Sequence, residues 1–306
     1  NLRYGRRIMW LVDVPSGANP AVHLALEEFC VKTLAPDSDL LLVYVNPPAV
    51  IVGRHQVPPA ETDPVFLKSK GIDLLRRLSG GGAVFHDRGN INFAFVTGYD
   101  RRTFHNYRYF LSPVIEALGR LGIEARFTPP NAVFIGGGKI SGSAQFSDMR
   151  RMITHGTLLY RTDLASLQNA LRPAAGMIES RGVPSAKSPV ANAGESLSDA
   201  PETNRFRARF SSALAEVLGG CRPLTLAEDQ WRQVASMARR YRSWQWTWGR
   251  SPTFVQDVVL SRKGVETRVR LSVEGGIIVR AAHADRPAHR RPDLVGSRYD
   301  DLLIQL

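Results

Sequence analysis

Cysteine is nearly absent from this 306-residue chain. Cys30 and Cys221 are its only two, too few for a disulfide framework and in keeping with a reducing cytoplasm. No apolar run approaches the roughly 18 residues that a membrane-spanning helix needs. The opening Asn1–Arg7 carries positive charge without a following apolar core and small-residue cleavage site, which predicts no secretory leader. No His, Cys, Asp or Glu cluster has the spacing of metal ligands, so no protein-held metal is expected. Acidic residues are also scarce, 28 against 40 Lys and Arg, for a net charge of +12. Residues 250–306 hold ten basic and seven acidic side chains, or +3, and the rest of the chain carries +9. A charge spread this way lacks the concentrated basic stripe of a nucleic-acid module, and no nucleic-acid partner is expected. It suits a basic face that attracts an acidic protein. The expectation is a cytoplasmic monomer.

What is present is an ordinary globular composition, 43% hydrophobic and 22% charged, long enough for a large and a small unit. Asn19-Pro20 is a helix start, with Asn as N-cap and Pro at the first helical position. Val22, Ala25, Leu26, Phe29 and Cys30 form one apolar stripe of the helix 21–31 that follows. Leu40–Val45 and Ala49–Val52 read as buried strands around Asn46-Pro47-Pro48. Tyr107–Leu121 reads as a helix stopped by Gly122. Further strands are expected at Ile91–Val96, Ala132–Ile135, Lys139–Phe146 and Ile153–Tyr160, and helices at Glu202–Leu218 and Leu226–Tyr241. Residues 173–201, rich in Pro, Ala, Gly and Ser, form a long loop, hence mobile or functional. From Phe254 onward, alternating runs at Val255–Leu260, Glu266–Val273 and Gly276–Ala282, then Tyr299–Ile304, predict a small α+β unit. The expected division is 1–241 and 242–306, a mixed sheet flanked by helices with a small accessory domain.

Two glycine-rich stretches carry the chemistry. In residues 76–95, Gly80, Gly81 and Gly82 allow a backbone to approach a ligand with no Cβ in the way. Arg76 and Arg77 stand just upstream, where guanidinium groups are suited to carboxylate or phosphate oxygens. In the second stretch, Lys139 follows Gly136-Gly137-Gly138 and opens a strand that can hold its ammonium on one face. Gly138-Lys139 is not a Walker A loop, because Ile140 replaces the Ser/Thr and no helix follows. Phe85 stands where a dinucleotide fingerprint needs its last glycine. Cys30 lies on the helix stripe and reads as a core residue rather than a nucleophile.

The string Arg76-Arg77-Leu78-Ser79-Gly80-Gly81-Gly82-Ala83-Val84-Phe85-His86-Asp87 resembles the signature of the lipoate–protein ligase A family. Segments similar to the family's other landmarks follow in order: Leu24–Glu28, Ile51–Gln56, Lys139–Ala144, His155–Leu159 and Trp244–Gly249. The resemblance implies an α+β fold, a large mixed-sheet catalytic domain of the biotin/lipoate ligase type with a small α+β C-terminal domain. It implies that ATP and lipoate are substrates, with Mg²⁺ expected in activation and no tightly bound cofactor. Lipoate attacks the α-phosphorus, pyrophosphate leaves, and an acceptor lysine then attacks lipoyl-AMP. Both partners in the first step are anions, so fixed cations and N–H donors must offset their repulsion. The resemblance makes Lys139 the catalytic residue. It places Arg77, Ser79, Gly80, Gly81, Gly82, Ala83, Val84, Phe85, His86, Asn131, Ser141, Gly142, Ser143, His155, Gly156, Arg54 and His55 around adenylate and lipoyl tail. The implied partner is an acidic lipoyl-domain acceptor. One departure stands out: relatives commonly carry Asn-Asp just before the lysine strand, and this chain has Asn131-Ala132. That opens two alternatives, a transferase using preformed lipoyl-AMP and a non-catalytic lipoyl-carrier binding or assembly factor.

Overall fold

The helix Pro20–Lys32 begins where the Asn19 side chain accepts the N–H of Ala21 at 2.9 Å, with proline at the first helical position. It packs on one face of an eight-stranded mixed sheet in the computed structural model, which describes residues 9–15, 17–34, 38–173, 178–262 and 265–303. The charged opening Asn1–Arg7, Ser16, part of the Pro/Ala-rich loop (174–177) and Ile304 lie outside the described residues. At the sheet's centre, Asn90–Gly98 pairs antiparallel with Asp39–Val45 on one side and with Arg151–Leu159 on the other. Gly138–Ser147, Ala132–Ile135 and Arg126–Thr128 extend the sheet from there. At the opposite edge Met9–Val12 runs parallel to both Asp39–Val45 and Cys221–Leu224. Alternation along Asn90–Gly98 sends Phe93 and Phe95 to one core, against the helices Tyr107–Arg120 and Thr203–Val217. Ala94 and Val96 face the other, against Pro20–Lys32 and Glu228–Arg242.

The two runs read as strands around one turn belong to different sheets. Leu40–Val45 lies in the large sheet, whereas Ala49–Val52 is the centre of a three-stranded one between Asp73–Arg76 and Val84–His86. Pro47 and Pro48 have no N–H for a ladder, so the chain leaves one sheet there and enters the next. The small sheet holds the glycine loop over the cavity-forming face of the large one.

A four-stranded antiparallel sheet takes its edge strand Ile178–Ser180 from the Pro/Ala-rich loop and continues through Phe254–Arg262, Val265–Glu274 and Ile277–His283. Its core holds Trp248, Phe254 and Tyr299, the last on the helix Tyr299–Leu303. The junction reaches back: Trp246 is buried in the core beneath Pro20–Lys32, and its indole N–H donates to Arg76 O at 2.7 Å.

Candidate active site

Two cavities meet over the face that Asn90–Gly98, Arg151–Leu159 and Gly138–Ser147 present to the glycine loop. The first encloses about 790 Å³ open to solvent, with apolar walls from Leu24, Tyr44, Ile51, Val84 and Ala144. The second, about 1340 Å³, lies toward Phe85, Leu159, Leu167 and Val190 and carries Arg172 and Lys187 at its exposed rim. Ala83, Val84, Lys139, Gly142, Thr157, Ser185 and Ala186 line both, so the two adjoin along one cleft with Lys139 on their shared wall.

The two arginines turn their donors onto the protein itself. Arg77 is buried, and its guanidinium donates to Ser79 Oγ at 2.8 Å, Ile51 O at 3.0 Å, Gly82 O at 2.8 Å and Gly80 O. The planar fork thereby sets the glycine loop's shape. Arg76 is 1% exposed and donates to the carbonyls of Gly53, Arg54, Gln56 and Thr247 and to Ser251 Oγ. Burial pushes both guanidiniums down to about 10, which leaves them charged. Carbonyls near at hand capture donors that the sequence pattern offered to a ligand.

The loop fits closely. A Cβ on Gly53 would stand 2.0 Å from Gly81 O, and one on Gly82 would stand 2.8 Å from Ser185 Oγ. Gly81 adopts φ +84°, a conformation suited to glycine. Because the carbonyls of Gly80 and Gly82 turn onto Arg77, planar trans peptides point the N–H groups of Gly81 and Ala83 the other way. Ala83 N–H meets Ser185 Oγ at 2.9 Å. Ser185 belongs to the loop expected to be mobile or functional, and here it is pinned across the cleft. Gln56 donates to Val183 O and Ser185 Oγ, Glu61 accepts Ser185 N–H, and Lys139 N–H meets Pro189 O at 2.8 Å.

Behind the loop runs a relay. Tyr44 O–H donates to Glu27 Oε1 at 2.9 Å, and His155 Nδ1 lies 2.7 Å from Glu27 Oε2. A carboxylate only accepts, which puts a proton on Nδ1. His155 Nε2 stands 2.7 Å from Ser79 Oγ, which closes the chain to Arg77. Four elements are thus tied to one another, and the chain carries the opposite charges of Glu27 and Arg77.

Other polar groups on the cleft are left open. Among the described residues Asn92 Nδ2, Ser141 Oγ and Ser143 Oγ are buried with no hydrogen-bond partner, which is costly for buried polar atoms. His86 takes a hydrogen bond from Asn46 Nδ2 at 2.8 Å on Nδ1, and burial pushes its pKa down to about 3. It is therefore neutral, with its proton on Nε2. Lys139 makes no side-chain hydrogen bond or ion pair with the described residues, and burial lowers its pKa. Its chain lies over Gly142, where an alanine Cβ would stand 3.1 Å from Nζ.

Of the expected site residues, Arg77, Gly81, Gly82, Ala83, Val84, Phe85, His86, Asn131, Lys139, Ser141, Gly142, Ser143, His155 and Gly156 line the cleft. Ser79 stands behind it, and Gly80 lines neither cavity. Arg54 and His55 are exposed on the 53–56 turn and also line neither. Sequence reasoning did not single out Glu27, Tyr44, Asn92 or Ser185, which reach the site only through tertiary pairing. Among the described residues no group of three His, Cys, Asp or Glu side chains is placed to hold a metal, and no helix is long and apolar enough to cross a membrane.

The Lipoyl protein ligase A/B catalytic domain family matches residues 19–215, the span that builds this cleft. The chain is 40% identical over 249 residues to the lipoate-protein ligase LplJ of Bacillus subtilis, covering 80% of this chain and 75% of that one. It is 37% identical over 239 residues to lipoate–protein ligase 1 of Staphylococcus aureus, covering 77% and 72%. A bi-partite lipoate protein ligase from Thermoplasma acidophilum, solved in a study of its lipoylation system and E2 lipoyl domain, superposes with a TM-score of 0.67 at 26% identity, over 79% of this chain and 96% of that one. With the glycine loop, the lysine strand and the cleft between them in place, the chain belongs to the lipoate–protein ligase A family.

Proposed function

We propose that this protein activates lipoate with ATP and transfers the lipoyl group to a lysine of an acceptor lipoyl domain. The observation that carries the reading is Lys139, a half-buried ammonium with no carboxylate partner among the described residues, on the wall shared by two adjoining cavities. The lipoyl tail lies along Leu24, Ile51, Val84 and Ala144, with its carboxylate at Lys139. The nucleotide occupies the second cavity, its phosphates toward Lys139, Arg172 and Lys187. The carboxylate oxygen attacks the α-phosphorus, the bond to the bridging oxygen breaks, and pyrophosphate leaves. Lys139 and the Gly81 N–H offset the charge that builds on the phosphorus oxygens. In the second step the acceptor lysine's neutral amine attacks the acyl carbon, the amide forms and AMP leaves. Mg²⁺ would travel with the nucleotide's phosphates.

The acceptor is an acidic domain, drawn by the net +12 of the chain, and the working form is a cytoplasmic monomer whose C-terminal unit, 242–306, acts as an accessory domain. A second reading rests on Ala132, which is buried opposite Gly142 where relatives commonly carry Asp: transfer from preformed lipoyl-AMP without the ATP step. Incubation with lipoate, ATP and an apo lipoyl domain, scored by the mass gain of the domain and repeated with lipoyl-AMP, separates these. Modification in both arms supports the ligase, and modification with lipoyl-AMP alone selects the transferase. Modification in neither arm rejects both.

A further inference from the structure

The first cavity is not apolar throughout. Tyr44, Glu27 and His155 line it, but their polar atoms are occupied by one another and by Ser79. Two other lining residues are not closed in this way. Asn92 Oδ1 accepts from Asn90 Nδ2 at 3.1 Å, and Asn92 Nδ2 is buried with no acceptor among the described residues. His86 is held on Nδ1 by Asn46, itself bonded to His23 Nδ1 at 2.5 Å, so the free donor of this cavity-lining ring is Nε2–H.

Sheet register places Asn92 relative to the reacting end, and His86 lines the same cavity from the three-stranded sheet. Tyr44 stands opposite Asn92, Asn92 opposite Thr157, and Gly142 N–H meets Thr157 Oγ1 beneath the Lys139 side chain. Asn92 is therefore two strand spacings from the lysine strand, about 9–10 Å. Lipoate separates its carboxyl group from its dithiolane ring by four methylenes, a comparable reach. With the carboxylate at Lys139, the ring sulfurs arrive beside Asn92 and His86.

We propose that the His86 and Asn92 N–H groups select an acyl chain ending in a disulfide ring over an equally long hydrocarbon chain. Ring sulfur is a polarisable, weak acceptor that faces both donors, whereas a methylene in its place seals them away from water with no acceptor. The inference rests on the ligase reading for the identity of the tail, but it concerns binding and is tested without catalysis.

Calorimetry with the full chain compares lipoate with 5-cyclopentylpentanoate, which keeps the tether and ring size and lacks both sulfurs. Sealing a buried donor costs enough for lipoate to bind about ten-fold more tightly or better. In Asn92→Leu and His86→Met, and most of all in the double variant, that ratio falls toward one. A ratio taken on one sample is independent of its folded fraction, and the wild-type comparison needs no variant. Equal affinity of the wild-type protein for the two acids overturns the proposal, as does a preference that survives in the double variant. Binding of neither acid overturns it together with the ligase reading. Selective binding of lipoate with no transfer to a lipoyl domain refutes the ligase reading alone.

Discussion

Replacing Gly53 by alanine should disable the glycine loop from outside the cleft. The new Cβ would lie 2.0 Å from Gly81 O, where ordinary contact begins near 3.4 Å, so one wall must move by more than an ångström. Neither moves freely. Gly53 N–H is held by Gln56 Oε1 at 2.8 Å and Gly53 O by Arg76 at 2.9 Å, while Arg77 fixes the loop through the carbonyls of Gly80 and Gly82. Overpacking of this kind costs about 1–3 kcal/mol, which lowers the melting temperature by a few degrees in a chain of this size. A displacement of about 1 Å at a positioning loop can cost about 10²-fold in rate. Gly80→Ala is the internal control, because a Cβ there meets nothing within 4 Å and its φ is not in the left-handed region. Thermal melts and lipoate-dependent pyrophosphate release on the two variants are the assay. Gly80→Ala should behave as wild type and Gly53→Ala should lose both stability and kcat/KM. A Gly53→Ala protein with unchanged melting temperature and turnover would refute the argument that these two backbones support each other.

Arg77→Lys keeps the charge but loses the planar fork, and an ammonium with three donors leaves at least one of the four contacts unmade; KM for lipoate should rise with a lower melting temperature, and unchanged values would show that charge alone suffices. Burial raises the Glu61 carboxyl pKa, so its ionised form opposes folding at neutral pH and that penalty disappears as pH falls through the raised value. Glu61→Gln, which keeps an acceptor for Ser185 N–H, should therefore melt above wild type at neutral pH by a margin that shrinks in acid; a constant margin contradicts the assignment. Ala132→Asp should raise or leave unchanged the pyrophosphate-forming step and should leave transfer from lipoyl-AMP intact, with melting measured alongside because an unpaired buried carboxylate can cost several kcal/mol. Impaired activation in a variant that melts normally would reject a supporting role for Asp at this position.

The glycine loop and the lysine strand were legible because each is a contiguous string whose residue types have few alternative uses. Long elements were legible for a similar reason, since Asn19-Pro20 and Gly122 mark helix ends by local chemistry. What escaped depends on partners distant in sequence. Met9–Val12 and Cys221–Leu224 are short parallel strands more than 200 residues apart that make sense only beside each other. Glu27 and Glu28 are buried, on a helix whose apolar stripe gave no reason to expect buried acids. Glu27 meets Tyr44 and His155, and Glu28 meets Lys32, Arg240 and Tyr241. Arg76 and Arg77 read as strong donors, but the sequence does not show that backbone carbonyls surround them. Arg54 and His55 stand close to the loop in sequence, and the turn carrying them faces solvent.

The central claim is that Lys139 stabilises the charge formed when lipoate attacks ATP, and Lys139→Met tests it with the side chain's length kept and its charge removed. Lipoate-dependent pyrophosphate release should fall by about 10²–10³, the loss expected for one donor to a developing oxyanion, while the melting temperature is held or raised, since the ammonium is half-buried with no partner among the described residues. Pyrophosphate release at the wild-type rate from a folded Lys139→Met protein would contradict the account.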